Sequence, residues 1–446
     1  RGDRSVSAGD AALGRHRHLQ RADHADPPVT RGDPPTILAD RSFRRYFVGQ
    51  TLSGFGSALS SVALAFAVLS LSSSPSALGL VLAASKVPQI LFALLGGALG
   101  DRFSRRLILL GTDAVRAVLQ ATCAVLLIAG IADVAAILIL QCVSGLCSAM
   151  FAPAANGLIN RVAPEGRNRE ATALLSLGSS TAALGGLAMA GALVGVLGPG
   201  PAFAVDAATF AASTLSLARI RVRPLQPPPA PAPASRPYRG LLVDIGEGWR
   251  AVRVLPWLLV HCIYVCLLNA LALSPFFVLG PLVAQRRLGG APAWAAIAIA
   301  WTVGALLGGA CAVRWRPQRP IAAAISISVC LTGLLIALAV PLPLEVILPA
   351  AAIAGWEVAV SNCLAMVALQ DNVPDHLLAR ATSFESVGTL IAAPLGMGFA
   401  GLAAGLTSTG AVFAFATGWV LISSGIALAT PAVRSLSRDA KLLRVP

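Results

Sequence analysis

The sequence predicts an all-α integral membrane protein, twelve transmembrane helices grouped as two bundles of six. Three observations carry this. Of 446 residues, 56% are hydrophobic and only 12% charged, with a mean hydropathy of +0.76; soluble domains carry about a quarter charged residues. Apolar runs of about 20 residues, each able to cross a hydrocarbon core roughly 30 Å thick, recur along almost the whole chain. The basic residues are also unevenly shared between the connections. With both ends on one side, thirty of the 34 Lys and Arg fall on that side and only Arg286 and Arg287 on the other, while Lys86 and Arg116 lie within spans. The positive-inside rule makes the richer side cytoplasmic. The net charge of +14 therefore reports topology, and nucleic-acid binding is not needed to explain it.

Taken in order, residues 1–40 are polar and rich in Pro and Arg, and read as a disordered cytoplasmic tail rather than a secretory signal. The first span is predicted at 46–71 and carries Gln50. The second, 76–100, carries Lys86 and ends in the small residues Gly96, Gly97, Ala98 and Gly100, which let helices approach closely. The third, 105–131, holds Asp113 and Arg116, three apart and hence on one helical face. They either neutralise one another or take part in a change of state. The fourth and fifth runs are 133–156 and 171–196. The sixth, 200–219, has Asp206 about seven residues in, too deep for a helix cap; it is either a hydrogen-bonded structural acid or a proton or substrate site.

Residues 221–250 follow as a linker whose "RPLQPPPAPAPASRP" run favours an extended, non-helical chain. It separates a first bundle, 41–220, from a second, 251–433. The seventh span, 255–284, supplies His261, Tyr264 and Asn269; the eighth and ninth are 290–313 and 320–340. The tenth, 343–369, contains Glu357 with no basic residue one turn away, and Asn362. A charge near the bilayer centre costs about 2.5–3.5 kcal/mol, and an unpaired carboxylate there binds a proton readily. Glu357 is therefore the first candidate for proton coupling. The eleventh span, 381–405, opens near Glu385, a second acid that is either a coupling group or a partner of the helix dipole. Pro394 and nearby glycines allow that span to bend. The twelfth is 409–432, followed by a cytoplasmic tail, 434–446. Gln50, His261, Asn269 and Asn362, with Tyr264 and Gln370, are candidates either to line a substrate cavity or to bond between helices.

The halves repeat. "LGGALGDRF" at Leu95 matches "LGGACAVRW" at Leu307, and "APEGRNREATA" at Ala163 parallels "VPDHLLARATS" at Val373. Both pairs fall at equivalent joints, and parallel six-span repeats around a midplane site are a transporter construction. At the first joint, "GALGDRFSRR" resembles the loop signature G-x-L-x-D-R-x-G-R-R of the major facilitator superfamily, with Gly97, Asp101, Arg102, Arg105 and Arg106 in register and Ser104 where glycine is usual. A wider likeness over 41–433 includes "FVGQTLSGFGSALSSVALAFAVL", "AVDAATF", "EGWRAVR", "FFVLGPLVA" and "LARATSFESVGT". These resemble the macrolide-efflux and enterobactin-exporter group.

The resemblance implies the major facilitator fold and export of small, often amphipathic molecules by alternating access, in antiport with protons; the alternatives are an uncoupled or importing carrier of the same fold, or a non-transporting membrane sensor or scaffold. It implies a multidrug-type efflux protein in a bacterial inner (plasma) membrane, monomeric, with the lipid bilayer, a small molecule and protons as its partners. It further implies that Asp101 braces one state by meeting Arg105 and the N-terminus of the eleventh span. Arg102 and Arg106 read as topology anchors. The second repeat has Val313 at the position of Asp101, so the brace exists in one half only. Relatives carry glutamate at the position of Met366, aspartate at Ser148, and arginine at Gln50, Ser85 and Ala152, so the coupling route departs from theirs. No enzyme, metal site or cofactor is implied. None of the eight cysteines forms a C-x-x-C pair, and the five histidines do not cluster.

Overall fold

The computed structural model describes residues 36–95, 104–164, 166–220, 253, 255–340 and 342–436. Within them lie twelve long helices and no strand. They are α1 (Arg41–Leu71), α2 (Pro75–Leu95), α3 (Arg105–Ile128), α4 (Val134–Val162), α5 (Asn168–Leu197) and α6 (Pro199–Ala218), then α7 (Pro256–Leu288), α8 (Ala291–Arg314), α9 (Pro320–Ala339), α10 (Leu344–Asn372), α11 (Asp375–Leu406) and α12 (Thr409–Ala429). Eleven of these are long and apolar enough over described residues to cross a membrane. The remaining one, α2, occupies the second predicted span. Most ends fall within a few residues of the apolar runs. The larger differences are α1 and α11, each starting about a turn and a half earlier than read because Asp40 and Pro374 set their first turns, and α4, which ends about a turn and a half later, at Val162. Asp40 Oδ1 accepts from the amides of Ser42 and Phe43, both at 2.8 Å, two donors a helix start leaves unpaired. Ser104, Asp133 and Ser408 cap α3, α4 and α12 in the same way.

Apolar side chains face both inward and outward, as a lipid solvent allows. Leu177, Val196, Leu307 and Leu406 are exposed while Phe43, Phe203, Phe210 and Phe413 are wholly buried. Hydrocarbon offers no hydrophobic penalty for the outer set, so helix association depends on close packing and small residues. The seam of α8 on α10 shows this directly. A Cβ at Gly304 would stand 1.8 Å from the Ala352 carbonyl oxygen, one at Gly355 2.0 Å from that of Trp301, and one at Gly308 2.4 Å from that of Trp356. Backbone rests on backbone along this seam.

Packing runs α1 on α5 and α6, α3 on α4 and α6, and α2 on α4; in the later helices it runs α8 on α10, α7 on α11, and α9 on α10 and α12. The first six helices meet the last six chiefly through α2 with α11 and α5 with α8. An even number of spans puts both ends of the chain on one face, here called terminal, and the α1–α2, α5–α6, α7–α8 and α11–α12 turns on the other, distal face. The α7–α8 turn uses Gly289 and Gly290, at φ +95° and +84°, a conformation glycine adopts without steric cost.

Two helices are irregular at mid-length. α7 widens into π turns at Asn269–Leu273 and Ala284–Leu288. α9 tightens into a 3₁₀ turn at Ser328–Cys330. Such departures often mark functional sites or hinges, and both face residues described below.

Candidate functional site

Near the distal face the two sets of helices close on one another. Arg286 Nη2 donates to the Ser73 carbonyl at 3.1 Å, and Ser76 Oγ donates to the Gly401 carbonyl at 3.3 Å. A Cβ at Gly79 would meet the Met397 carbonyl at 2.6 Å, and one at Gly191 would meet Ala295 Cβ at 2.7 Å. Glycine at these positions lets α2 touch α11, and α5 touch α8, without intervening side chains.

Below this seal lies a cavity of about 290 Å³ between the two sets. Lys86 of α2 and Ser61 of α1 face it from the first set. Phe277 of α7, Trp301 and Thr302 of α8, and Met397 of α11 face it from the second. Phe276 stacks on Trp301 at 5.0 Å between centroids and tilts against Trp294 at 5.3 Å, which fixes the aromatic wall.

Two buried polar clusters lie among the helices, one in each set of six. In the later helices, Glu357 is buried on α10, at 1% exposure. Its Oε1 lies 2.8 Å from Ser328 Oγ and 2.9 Å from Ser361 Oγ, and each hydroxyl also lies 3.1 Å from the Ala324 carbonyl. Two hydroxyl hydrogens serve two of these four contacts, so the pattern holds room for one further proton on the carboxyl. Glu357 Oε2 is buried with no hydrogen-bond partner. The 3₁₀ turn of α9 is what brings Ser328 to the carboxyl.

In the first six helices, Asp206 Oδ2 accepts from Gln120 Nε2 at 2.8 Å, and Gln120 Oε1 accepts from Gln141 Nε2 at 3.3 Å, joining α6, α3 and α4 in a buried chain. Gly56 of α1 makes the space for it, since a Cβ there would stand 2.3 Å from Asp206 Oδ1 and 2.0 Å from Thr209 Oγ1. Gly56→Ala is accordingly expected to destabilise the protein by about 1–3 kcal/mol, whereas Gly54→Ala, whose Cβ meets only Ala182 Cβ at 3.8 Å, should melt like the parent. Thermal unfolding in detergent compares the two.

The expected pairing of Asp113 with Arg116 is not direct. Asp113 Oδ2 instead accepts from Ser213 Oγ at 2.7 Å, and the Arg116 guanidinium lies 4.3 Å above the Phe210 ring. One turn of α3 separates the two charges, but each is drawn to a different partner on α6. Asp113 Oδ1 and Arg116 Nε have no hydrogen-bond partner.

His261 does not line the cavity. It is buried on α7 with Nε2 3.4 Å from Glu385 Oε1 on α11, which pairs two residues expected to act separately. Asn269 does not reach the cavity wall either: its Nδ2 donates to Val265 O at 2.9 Å, at the π turn, where Ser274 Oγ donates to the carbonyls of Asn269 and Ala393. Tyr264 is buried against Ser424, 3.0 Å away. Asn362 is exposed on α10, and Gln50 has a buried Nε2 with no hydrogen-bond partner on α1. None of Gln50, His261, Asn269 and Asn362 lines the 290 Å³ cavity.

Of the joint between α2 and α3, Gly97, Asp101 and Arg102 lie outside the described residues. Arg105 Nη1 donates to the Gly157 carbonyl of α4 at 2.9 Å. Arg106 Nε donates to the Leu217 carbonyl at 3.2 Å and its Nη2 to that of Ala218, at the end of α6. Arg45 of α1 reaches the Arg219 carbonyl at the same place. Two cations therefore satisfy the last carbonyls of α6, where the helix dipole favours positive charge. Sequence reasoning expects Phe, Trp and Leu along the pathway but does not say which aromatic residues form its wall. Trp294 and Trp301, seven apart on α8, share a face, but nothing in their spacing says which face is inward.

A family model described as Major Facilitator Superfamily matches residues 46–384. The "Uncharacterized MFS-type transporter YfiS" of Bacillus subtilis (strain 168) is 24% identical over 235 residues, 52% of this chain. The chain spans about half the length of that curated relative, 54%. Among solved structures, the nucleoside transporter NupG superposes with a TM-score of 0.68 at 13% identity, over 87% of this chain and 98% of that one. A D-xylose-proton symporter gives 0.64 at 14%, over 88% and 98%. At such identity the likeness is one of fold.

Proposed function

This chain belongs to the Major Facilitator Superfamily, and from that premise we propose that it exports small amphipathic molecules by alternating access, in antiport with protons. That it is a multi-pass membrane transporter follows from family and fold. Direction, coupling and orientation are the proposed part. The observation that carries the reading is the seal above the 290 Å³ cavity, built from α2–α11 and α5–α8 contacts between the two sets of six helices. Loosening those contacts and forming others at the terminal face would expose the same cavity to the opposite side.

The terminal face is taken as cytoplasmic because it holds the excess of Arg. On that reading the cavity is closed to the exterior here. The two six-helix sets, 41–220 and 251–433, act as the moving bodies, with 221–250 as their tether. Glu357 is the coupling group we favour, because its hydrogen-bond pattern accepts one more proton and Oε2 is unpartnered. Among the described residues, the buried acids Asp206 and Asp113, and the partly buried Glu385 beside His261, are the others that could join it. Gln50 and Asn362, which do not line the cavity in this state, would meet the substrate only in another state of the cycle. The Asp101–Arg105 brace would form in the opposite state, with Arg105 exchanging the Gly157 carbonyl for the acid.

Two measurements test this. Proteoliposomes with an imposed pH gradient are given an anionic, a neutral and a cationic dye: 1-anilinonaphthalene-8-sulfonate, N-phenyl-1-naphthylamine and ethidium. At least one is expected to move counter to protons, and movement of none overturns the antiport reading. Separately, a Cβ at Gly405 would lie 2.7 Å from Ser76 Oγ, close enough for a disulfide once both are cysteine. Oxidised S76C/G405C is expected to arrest transport and reduction to restore it. Unchanged transport after complete cross-linking would show that the distal seal does not open during the cycle.

A further inference from the structure

Among the described residues, the cavity under the distal seal has one charged residue in its lining, and that residue is a cation. Lys86 sits eleven residues into α2, about 16 Å along the helix axis at 1.5 Å per residue. That is midway through a hydrocarbon core of roughly 30 Å, too far from either interface for the side chain to reach headgroup water. It is exposed on the cavity. None of the residues lining the cavity is acidic, and among the described residues no carboxylate lies within ion-pair distance of Lys86. A charged lysine at such depth is costly without a partner, so an anionic partner is what the site lacks.

The opposite wall is flat and apolar. Phe277 keeps 41% of its surface exposed and stands edge-on to Trp301, with centroids 5.8 Å apart. Phe276, stacked behind, holds both rings in place. Met397 supplies an adaptable surface on a third side. Ser61 and Thr302 add hydroxyls, and Thr302 Oγ1 already donates to the Ala298 carbonyl at 2.8 Å. At about 290 Å³ the cavity stands at the small end of the roughly 300–1,000 Å³ range of ligand pockets.

We propose that the cavity takes a small organic anion, with a flat one- or two-ring apolar body against Phe277 and Trp301 and a single acidic group at Lys86. The ammonium is a point charge without the fork of a guanidinium, so it suits a carboxylate or sulfonate. The inference rests on the transport reading and narrows its cargo from amphipathic molecules in general to amphipathic anions.

Equilibrium dialysis of the full chain in nanodiscs, with empty nanodiscs subtracted, tests it using 2-naphthoate, its neutral isostere 2-naphthamide, and 2-naphthylmethylamine. The wild-type protein is expected to bind naphthoate about tenfold more tightly than the amide and the amine weakest. Lys86→Gln should bring naphthoate and amide to equal affinity, while Lys86→Arg keeps the preference. Trp301→Phe should weaken both ligands alike. If the amide or amine binds as well as naphthoate, if the preference survives in Lys86→Gln, or if none of the three binds, the inference is overturned. The arms separate from the transport reading. Charge-blind binding alongside pH-driven dye movement removes the anion preference alone, whereas selective naphthoate binding with no dye movement removes the transport reading alone.

Discussion

Replacing Glu357 by glutamine is expected to abolish transport driven by a pH gradient while leaving downhill exchange of the same dye in place. The amide keeps the oxygen that sits 2.8 Å from Ser328 Oγ and 2.9 Å from Ser361 Oγ, so the α9–α10 contact survives. What it removes is the exchangeable proton. The new amide NH₂ occupies the site of Oε2, where no acceptor stands, at a penalty of about 1–3 kcal/mol. That is a modest loss for a folded membrane protein, and size-exclusion chromatography confirms the fold before flux is read. Ser361→Ala, which deletes one of the two hydroxyls and leaves the carboxyl, should retain coupling with an altered pH dependence. Wild-type gradient-driven flux in Glu357→Gln would remove this carboxyl from the coupling route and turn attention to Asp206 or the His261–Glu385 pair.

The second large effect is on stability. Gly304→Val is expected to destabilise the protein by roughly 3 kcal/mol or more, at or beyond the upper end for overpacked sites. A Cβ there would stand 1.8 Å from the Ala352 carbonyl oxygen, well inside van der Waals contact with backbone, which no rotamer change relieves. α8 and α10 must move apart, and the contacts of Gly308 and Gly355 are lost with them. The neighbouring Gly309 is the control, because a Cβ there meets nothing within 4 Å. Gly309→Val should therefore behave as wild type. Survival of the monodisperse peak after heating in detergent distinguishes the pair, and equal survival would show that the seam yields without loss.

The helices themselves were legible because lipid imposes a one-dimensional rule. Each crossing must be a long apolar run with its backbone bonded internally, and such runs stand out residue by residue. The site was legible only in part. Glu357 and Asp206 announced themselves as charges where charge is costly. Their partners did not: Ser328 lies 29 positions from Glu357, and Gln120 lies 86 from Asp206, and a serine or glutamine in a span carries no signal of what it faces. Asp113 and Arg116 show a different limit, since they are neighbours in charge but not in direct contact. Their i,i+3 spacing predicts a pair, yet Ser213 and Phe210 on α6 offered each a nearer partner. Lys86 was visible as a cation within a span, but its meaning depends on Phe277 and Trp301, which come from two other helices. The π turns of α7 left no mark in hydropathy, since widening a helix by one residue per turn leaves its composition unchanged.

The backbone-to-backbone seam of α8 on α10 has one more consequence. Trp301, which walls the cavity, presses its carbonyl on the position of Gly355, and Glu357 follows two residues later on the same strut. On the function proposed above, guest and proton are handled by the two helices of a single stiff girder. Tilting that girder to release one necessarily shifts the surroundings of the other, so their exchange can be geared mechanically, with no wire of intermediates running between them.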